Sequence, residues 1–139
     1  MSNLFSVFSV SGSALDVYKT WLDAVSDNVA NADDSSSTSG PAFQARYVVA
    51  QAQPGGPEGL GAGVQVAGVA YGSAKGVEVY DPSDPLADKQ GMVRKPDVDM
   101  GEQITAMMVA ERGYEANLAV VSRAESAYQA ALSITPGSA

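Results

Sequence analysis

The sequence predicts a mainly α chain with a small β-rich insert, its N- and C-terminal helices paired as a discontinuous coiled coil. Three observations lead there. The last third of the chain alternates apolar residues three and four apart over four heptads. The first thirty or so residues carry a broad apolar stripe at helical spacing. Between them the pattern changes to short β-branched runs broken by Gly, Pro, Asp and Ser. The organisation expected from these changes is an N-terminal helix of the coiled-coil domain over 1–32, a β-rich or loop insert over 33–96, and the C-terminal helix of the same domain over 97–139.

The first element spans residues 2–31. Phe8, Gly12, Leu15, Lys19, Leu22, Ser26 and Val29 follow alternating four and three spacing, and Phe5 extends the set backwards. Ala14, Val17, Trp21 and Ala24 widen the stripe, Val25 adds to its apolar content, and Asp16, Lys19, Thr20, Asp23 and Asp27 are left for the polar side. Trp21 is the large anchor for helix packing. Gly12 and the serines around it are expected to weaken the helix, so that the first ten residues order on assembly.

The insert opens with the turn cluster Asp33-Asp34-Ser35-Ser36-Ser37-Thr38-Ser39-Gly40-Pro41, which ends the helix. Short strands are expected over 43–51, 64–69 and 77–80, separated by a flexible tip at 53–59 and a Gly-bounded turn at 71–76. Three such strands would need neighbours for stability.

The last element, from about residue 97 or 99 to 134, carries the clearest pattern. Ile104, Met107, Glu111, Tyr114, Leu118, Val121, Glu125, Tyr128 and Leu132 alternate three and four apart, and seven of these nine are apolar. About 35 residues of helix reach roughly 50 Å, which calls for a partner along that length. Asp97, Asp99 and Glu102 suit the positive end of the helix dipole, and Pro136-Gly137 closes the pattern. Glu111 and Glu125 either lie at a solvated edge or act as register-setting polar seam residues. Tyr114 and Tyr128 read as packing residues.

Composition limits the chemistry. The chain has 139 residues, 45% of them hydrophobic, which is enough for a buried core. A net charge of -8 argues against a nucleic-acid partner, because phosphate contacts require Lys and Arg. With neither Cys nor His there is no disulfide, thiolate, Cys/His zinc site or imidazole-based catalysis. Asp81, Asp84 and Asp88 lack the spacing and terminal Glu of a calcium loop, and Pro82 and Pro85 interrupt them. They read as a Pro-fixed turn with Asx hydrogen bonds. No run reaches the ~18–20 apolar residues that span a bilayer. No basic segment precedes the apolar residues near the start, so a cleaved secretory signal is not expected.

Motifs then add a resemblance. Asn28-Val29-Ala30-Asn31-Ala32-Asp33 is close to the N-I-A-N-A-D/N-T signature of flagellar rod and hook proteins. Gly76-Val77-Glu78-Val79-Tyr80-Asp81-Pro82-Ser83-Asp84-Pro85 resembles the strand and Y-D-P-S-H-P turn of the proximal-rod group. Ala87-Asp88-Lys89-Gln90-Gly91-Met92-Val93 and Lys95-Pro96-Asp97-Val98-Asp99-Met100 are similar to that group's A-D-x-x-G-Y-V and P-N-V-N segment. Arg112-Gly113-Tyr114-Glu115-Ala116-Asn117 is similar to R-S-Y-Q-A-N, and Ala131-Leu132-Ser133-Ile134 to A-L-x-I. The motifs come in the family's order and cover essentially the whole chain. Asp84 stands in place of the usual His, Met92 of an aromatic residue, and Asp97 and Asp99 of asparagines. The 35–41 stretch is looser than the family's short continuation.

The resemblance implies a structural subunit of the bacterial flagellar basal-body rod, outside the cytoplasmic membrane, with no enzymatic activity and no cofactor. It implies self-association, contact with other rod proteins, and passage through the flagellar type III export apparatus, without membrane insertion. A different reading of the same faces is a helical-hairpin adaptor that binds one partner. A carboxylate enzyme is a third, and would depend on Asp81 or Asp84.

Overall fold

The structure, a computed structural model, describes residues 2–55 and 61–134, with side chains from Phe5 onward. Its elements are α1 (Ser2–Ala30), β1 (Arg46–Ala52), β2 (Val64–Tyr71), β3 (Val77–Tyr80), β4 (Met92–Lys95) and α2 (Met100–Ile134). Most of the expected tip at 53–59 and the expected stop at Pro136-Gly137 lie outside the described residues.

The helix α1 runs for 29 residues without a break at Gly12, where local weakening was expected. It ends at Ala30: the Asn31 N–H makes the last i→i−4 bond, to the Asp27 carbonyl at 3.1 Å, and Asn31 Nδ2 donates to the same carbonyl at 2.7 Å, a side-chain bond in the last turn. Asp99 starts α2: its Oδ1 accepts the Glu102 N–H at 3.0 Å, an N-cap bond, while its carbonyl accepts the Gln103 N–H. The carboxylates expected to suit the dipole therefore include a cap, and helix α2 begins at Met100, just after the buried Pro96.

The helices pack side by side and antiparallel. Asn28 bonds to Gln103, and ten residues back along α1 the Tyr18 ring lies over Gly113, ten residues forward along α2. A second side of α1 faces the β1–β2 ladder, where Ser13, Asp16, Val17 and Thr20 border a cleft with Gln53, Val64, Gln65 and Val66.

The insert holds two separate two-stranded antiparallel ladders. In one, β1 pairs with β2 from Arg46↔Tyr71 to Ala52↔Val64, with an irregularity between Val49 and Ala50. In the other, β3 pairs with β4 from Val77↔Lys95 to Tyr80↔Met92. The expected first strand begins three residues late and the second runs on to Tyr71. Strand β4 was not expected at all: only four residues long, it is defined by its ladder with β3 and by the fully buried Val93.

Two-stranded ladders are marginal alone, and each is tied to something else. The loop after α1 forms an antiparallel bridge from Ser36 to Arg94, with both backbone bonds present at 2.8 and 2.9 Å. That bridge sets the path of the 35–41 stretch. Gly76 and Gly91 sit at positive φ, 55° and 76°, and a Cβ at Gly76 would overlap the Lys95 carbonyl. The core is small and rich in alanine: Val17, Ala24, Val25, Ala42, Ala45, Val93, Ala110 and Ala124.

Candidate functional site

The helix pair decides which of the expected packing residues are buried and which are left exposed. On α2 the residues turned inward are Gln103, Met107, Ala110, Tyr114, Asn117, Val121 and Ala124. Gln103, Ala110 and Ala124 are buried and the other four half-buried. Their spacing is again four and three, but at alternate positions it is displaced by one residue from the expected set. Met107, Tyr114 and Val121 belong to both sets. Ile104 and Leu118, expected on the seam, are exposed, as are Tyr128 and Leu132, and Glu111 and Glu125 are exposed as the solvated-edge reading has them.

The physical reason lies on α1. Tyr18 and Trp21 stack with ring centroids 6.2 Å apart, and Tyr18 lies so close to Gly113 that a Cβ there would overlap its ring. A helix carrying two large rings can approach closely only where its partner is small. Gly113 supplies that under Tyr18, the buried Ala110 continues the small side of the seam, and Ile104 and Leu118 turn outward. The sequence did carry the signal, a second heptad series one residue away, but its small and amide residues weigh little when apolar size is scored.

The other expected packing residues on α1 divide in the same way. Val25 is buried; Phe8, Leu15, Trp21, Leu22 and Val29 are half-buried; Phe5 is 62% exposed. Ala14, Val17, Tyr18 and Trp21 also border a pocket shared with Ala50, Val64 and Asn117. Asn117 donates from Nδ2 to the Gly113 carbonyl at 2.8 Å.

The two motif asparagines do different work. Asn31 bonds a carbonyl in the last turn of α1, as described. Asn28 has no exposed surface, accepts from the Arg46 N–H at 2.7 Å, and donates from Nδ2 to the Arg46 carbonyl at 3.0 Å and to Gln103 Oε1 at 2.9 Å. Arg46 also forms an ion pair with Asp27. The phenol of Tyr47, in β1, is held above its ordinary value by partial burial and then by Glu102 and Asp97, carboxylates around the N-terminus of α2.

The acidic turn is a run of three Asx turns. Asp81 Oδ1 accepts from the Ser83 N–H and Oγ, Asp84 Oδ1 from the Leu86 N–H, and Asp88 Oδ1 from the Gln90 and Met92 N–H groups. Asp88 Oδ2 also accepts from Thr38 Oγ1. The Asp81 carboxyl is held below its ordinary value, chiefly by the Ser83 hydroxyl, and that of Asp88 chiefly by the Met92 N–H. The three carboxylates are thus occupied with their own backbone. Of the remaining motif residues, Gly91 and Pro96 are buried, while Tyr80, Pro82, Pro85 and Arg112 are exposed. Tyr80 and Pro82 close over Gly91, where any side chain would meet them.

Residues 89–134 match the family model described as the C-terminal part of the flagellar basal body rod FlgEFG proteins. Flagellar basal-body rod protein FlgC of Escherichia coli O6:H1 is 38% identical over 125 residues, covering 88% of this chain and 91% of the relative. The chain belongs to the FlgC family of flagellar basal-body rod proteins. FlgC of Salmonella typhimurium is also 38% identical over 125 residues, and FlgC of Borreliella burgdorferi is 29% identical over 150 residues, 96% of this chain. The seam, the Asn28 contacts and the Asx turns are internal to the chain, while large apolar side chains are exposed on α2, near the start of α1 and on the strands of the insert.

Proposed function

We propose that this chain is a structural subunit of the proximal rod of the bacterial flagellar basal body, assembling helically with copies of itself and with other rod proteins. The observation that carries the reading is the apolar outer side of α2. Ile104 and Leu118 are 53% and 51% exposed, and Met100, Met108, Val109, Val120, Leu132 and Ile134 are exposed with them. Large apolar side chains around a helix already packed along one side call for further partners. FlgC family membership supports other rod subunits as those partners.

In this reading α1 and α2 act as a discontinuous coiled coil that lines the inner tube, with the insert outside. Contacts between unlike surfaces of neighbouring copies do not close, so they propagate as a filament that can carry torque. The subunit reaches its place through the flagellar type III export apparatus, and no helix among the described residues is long and apolar enough to cross a membrane. The motif residues Asn28, Asn31, Tyr80, Asp81, Pro82, Pro85, Gly91, Pro96, Arg112, Tyr114 and Asn117 are proposed to keep the framework, while Phe5, Ile104, Leu118, Tyr128 and Leu132 meet neighbours. Deleting the gene should leave non-motile cells whose isolated basal bodies lack a completed rod, restored by the intact gene. Motile cells with an intact rod would overturn the assignment.

A further inference from the structure

We propose that Asn28 is a registration residue that holds α1, α2 and the β1–β2 hairpin in one common register. The inference is independent of what the assembled chain does. Apolar packing is non-directional, so the ring-on-small-residue seam alone resists sliding only through shape, at the Gly113 notch. The notch concerns the two helices and says nothing to the hairpin.

Asn28 joins all three elements at one point. Its carboxamide offers an acceptor and a donor side by side, and these meet the N–H and C=O of a single peptide residue, Arg46, at 2.7 and 3.0 Å. For that one residue the side chain takes the place of a neighbouring strand. The remaining Nδ2 hydrogen goes to Gln103 Oε1 at 2.9 Å. Asn28 is 0% exposed and Gln103 2%, so water cannot replace these partners. Sliding α1 along α2, or lifting β1, strands buried amide groups, and a buried polar pair has one satisfied register. At the far end of the hairpin, Ser13 Oγ accepts the Val64 N–H at 3.1 Å. Hydrogen bonds thereby hold the hairpin along α1 at two places, and at the Asn28 end the same side chain also bonds α2.

The chain has no cysteine, so pairs of spin labels can be placed freely on exposed positions. Asp23→Cys with Glu115→Cys reports the helix pair, and Asp23→Cys with Gln65→Cys reports the hairpin, each in the full chain. Asn28→Ala is expected to keep the helical circular dichroism, broaden both distance distributions measured by double electron–electron resonance, and speed exchange of the Arg46 amide at least about tenfold. Gln103→Ala cuts only the link to α2. It should broaden the Asp23–Glu115 distribution while the Arg46 amide stays protected. If Asn28→Ala leaves either distribution at its original width, the proposal fails. If that variant loses its helical signal, Gln103→Ala decides. An unchanged Asp23–Glu115 distribution, or an Arg46 amide that exchanges as in the unfolded chain, overturns it.

Discussion

Asp88 sits between the loop after α1 and strand β4, accepting from the Gln90 and Met92 N–H groups and from Thr38 Oγ1. These donors favour the charged form, so its carboxyl titrates below the ordinary value of 3.8. A depressed carboxyl contributes stability that is present above the unfolded value and lost as pH falls through the folded one. The Thr38–Asp88 link should therefore be intact at neutral pH and at pH 5, and should loosen only below about 3.8. Amide shifts of Gln90 and Met92 followed by NMR titration check this; movement centred above 5 would contradict it. Asp88→Asn should remove the transition. The Asx bonds of this turn were legible in the sequence because they join residues two to four apart, whereas the Thr38 bond spans 50 residues. The Asn28 contacts were not, since Arg46 and Gln103 lie 18 and 75 residues away. The motif marked that asparagine without showing what it reaches.

The two helices were legible as elements, the end of α1 within one residue and the start of α2 within one to three, because apolar spacing and the Asp99 cap are local signals. Their contact was read with the wrong phase. Size decides a helix seam only when both sides are of similar bulk, and here the Tyr18 ring on α1, stacked on Trp21, requires a small residue opposite. This makes Gly113 the sensitive position of the pair. Gly113→Ala would raise intrinsic helix propensity by about 1 kcal/mol, yet its methyl group would overlap the Tyr18 ring. Overpacking in a close contact costs about 1–3 kcal/mol, so a net loss of stability is expected in urea denaturation. Adding Tyr18→Ala should turn the same substitution stabilising, because the obstruction is gone while the propensity gain remains. Strand β4 shows the opposite limit: four residues bounded by Gly91 and Pro96 carry too little periodicity, and only pairing with β3 makes them a strand.

For the whole molecule, the displaced seam separates what holds the subunit from what it shows to neighbours. Ala110 is fully buried and Leu118, eight residues along the same helix, is 51% exposed. The sequence marks Leu118 as a packing or subunit-interface residue without choosing between the two and gives Ala110 no weight, so charge substitutions at the two sites test the division. Ala110→Asp puts an unpaired carboxylate against α1, which is costly enough to prevent stable folding. Leu118→Asp places the same charge in water, and a surface change of this kind shifts stability by no more than about 0.5 kcal/mol. The purified Leu118→Asp chain should therefore keep its unfolding midpoint and its helical signal. In cells, however, the carboxylate would be desolvated against the next subunit, and the rod should fail to complete. Ile104→Asp should behave in the same way. Stability is read from urea unfolding, and assembly from motility and isolated basal bodies. Motile cells carrying Leu118→Asp would mean that this side of α2 faces solvent in the rod, and the neighbour would then have to be sought on the Val109 and Val120 side of the helix.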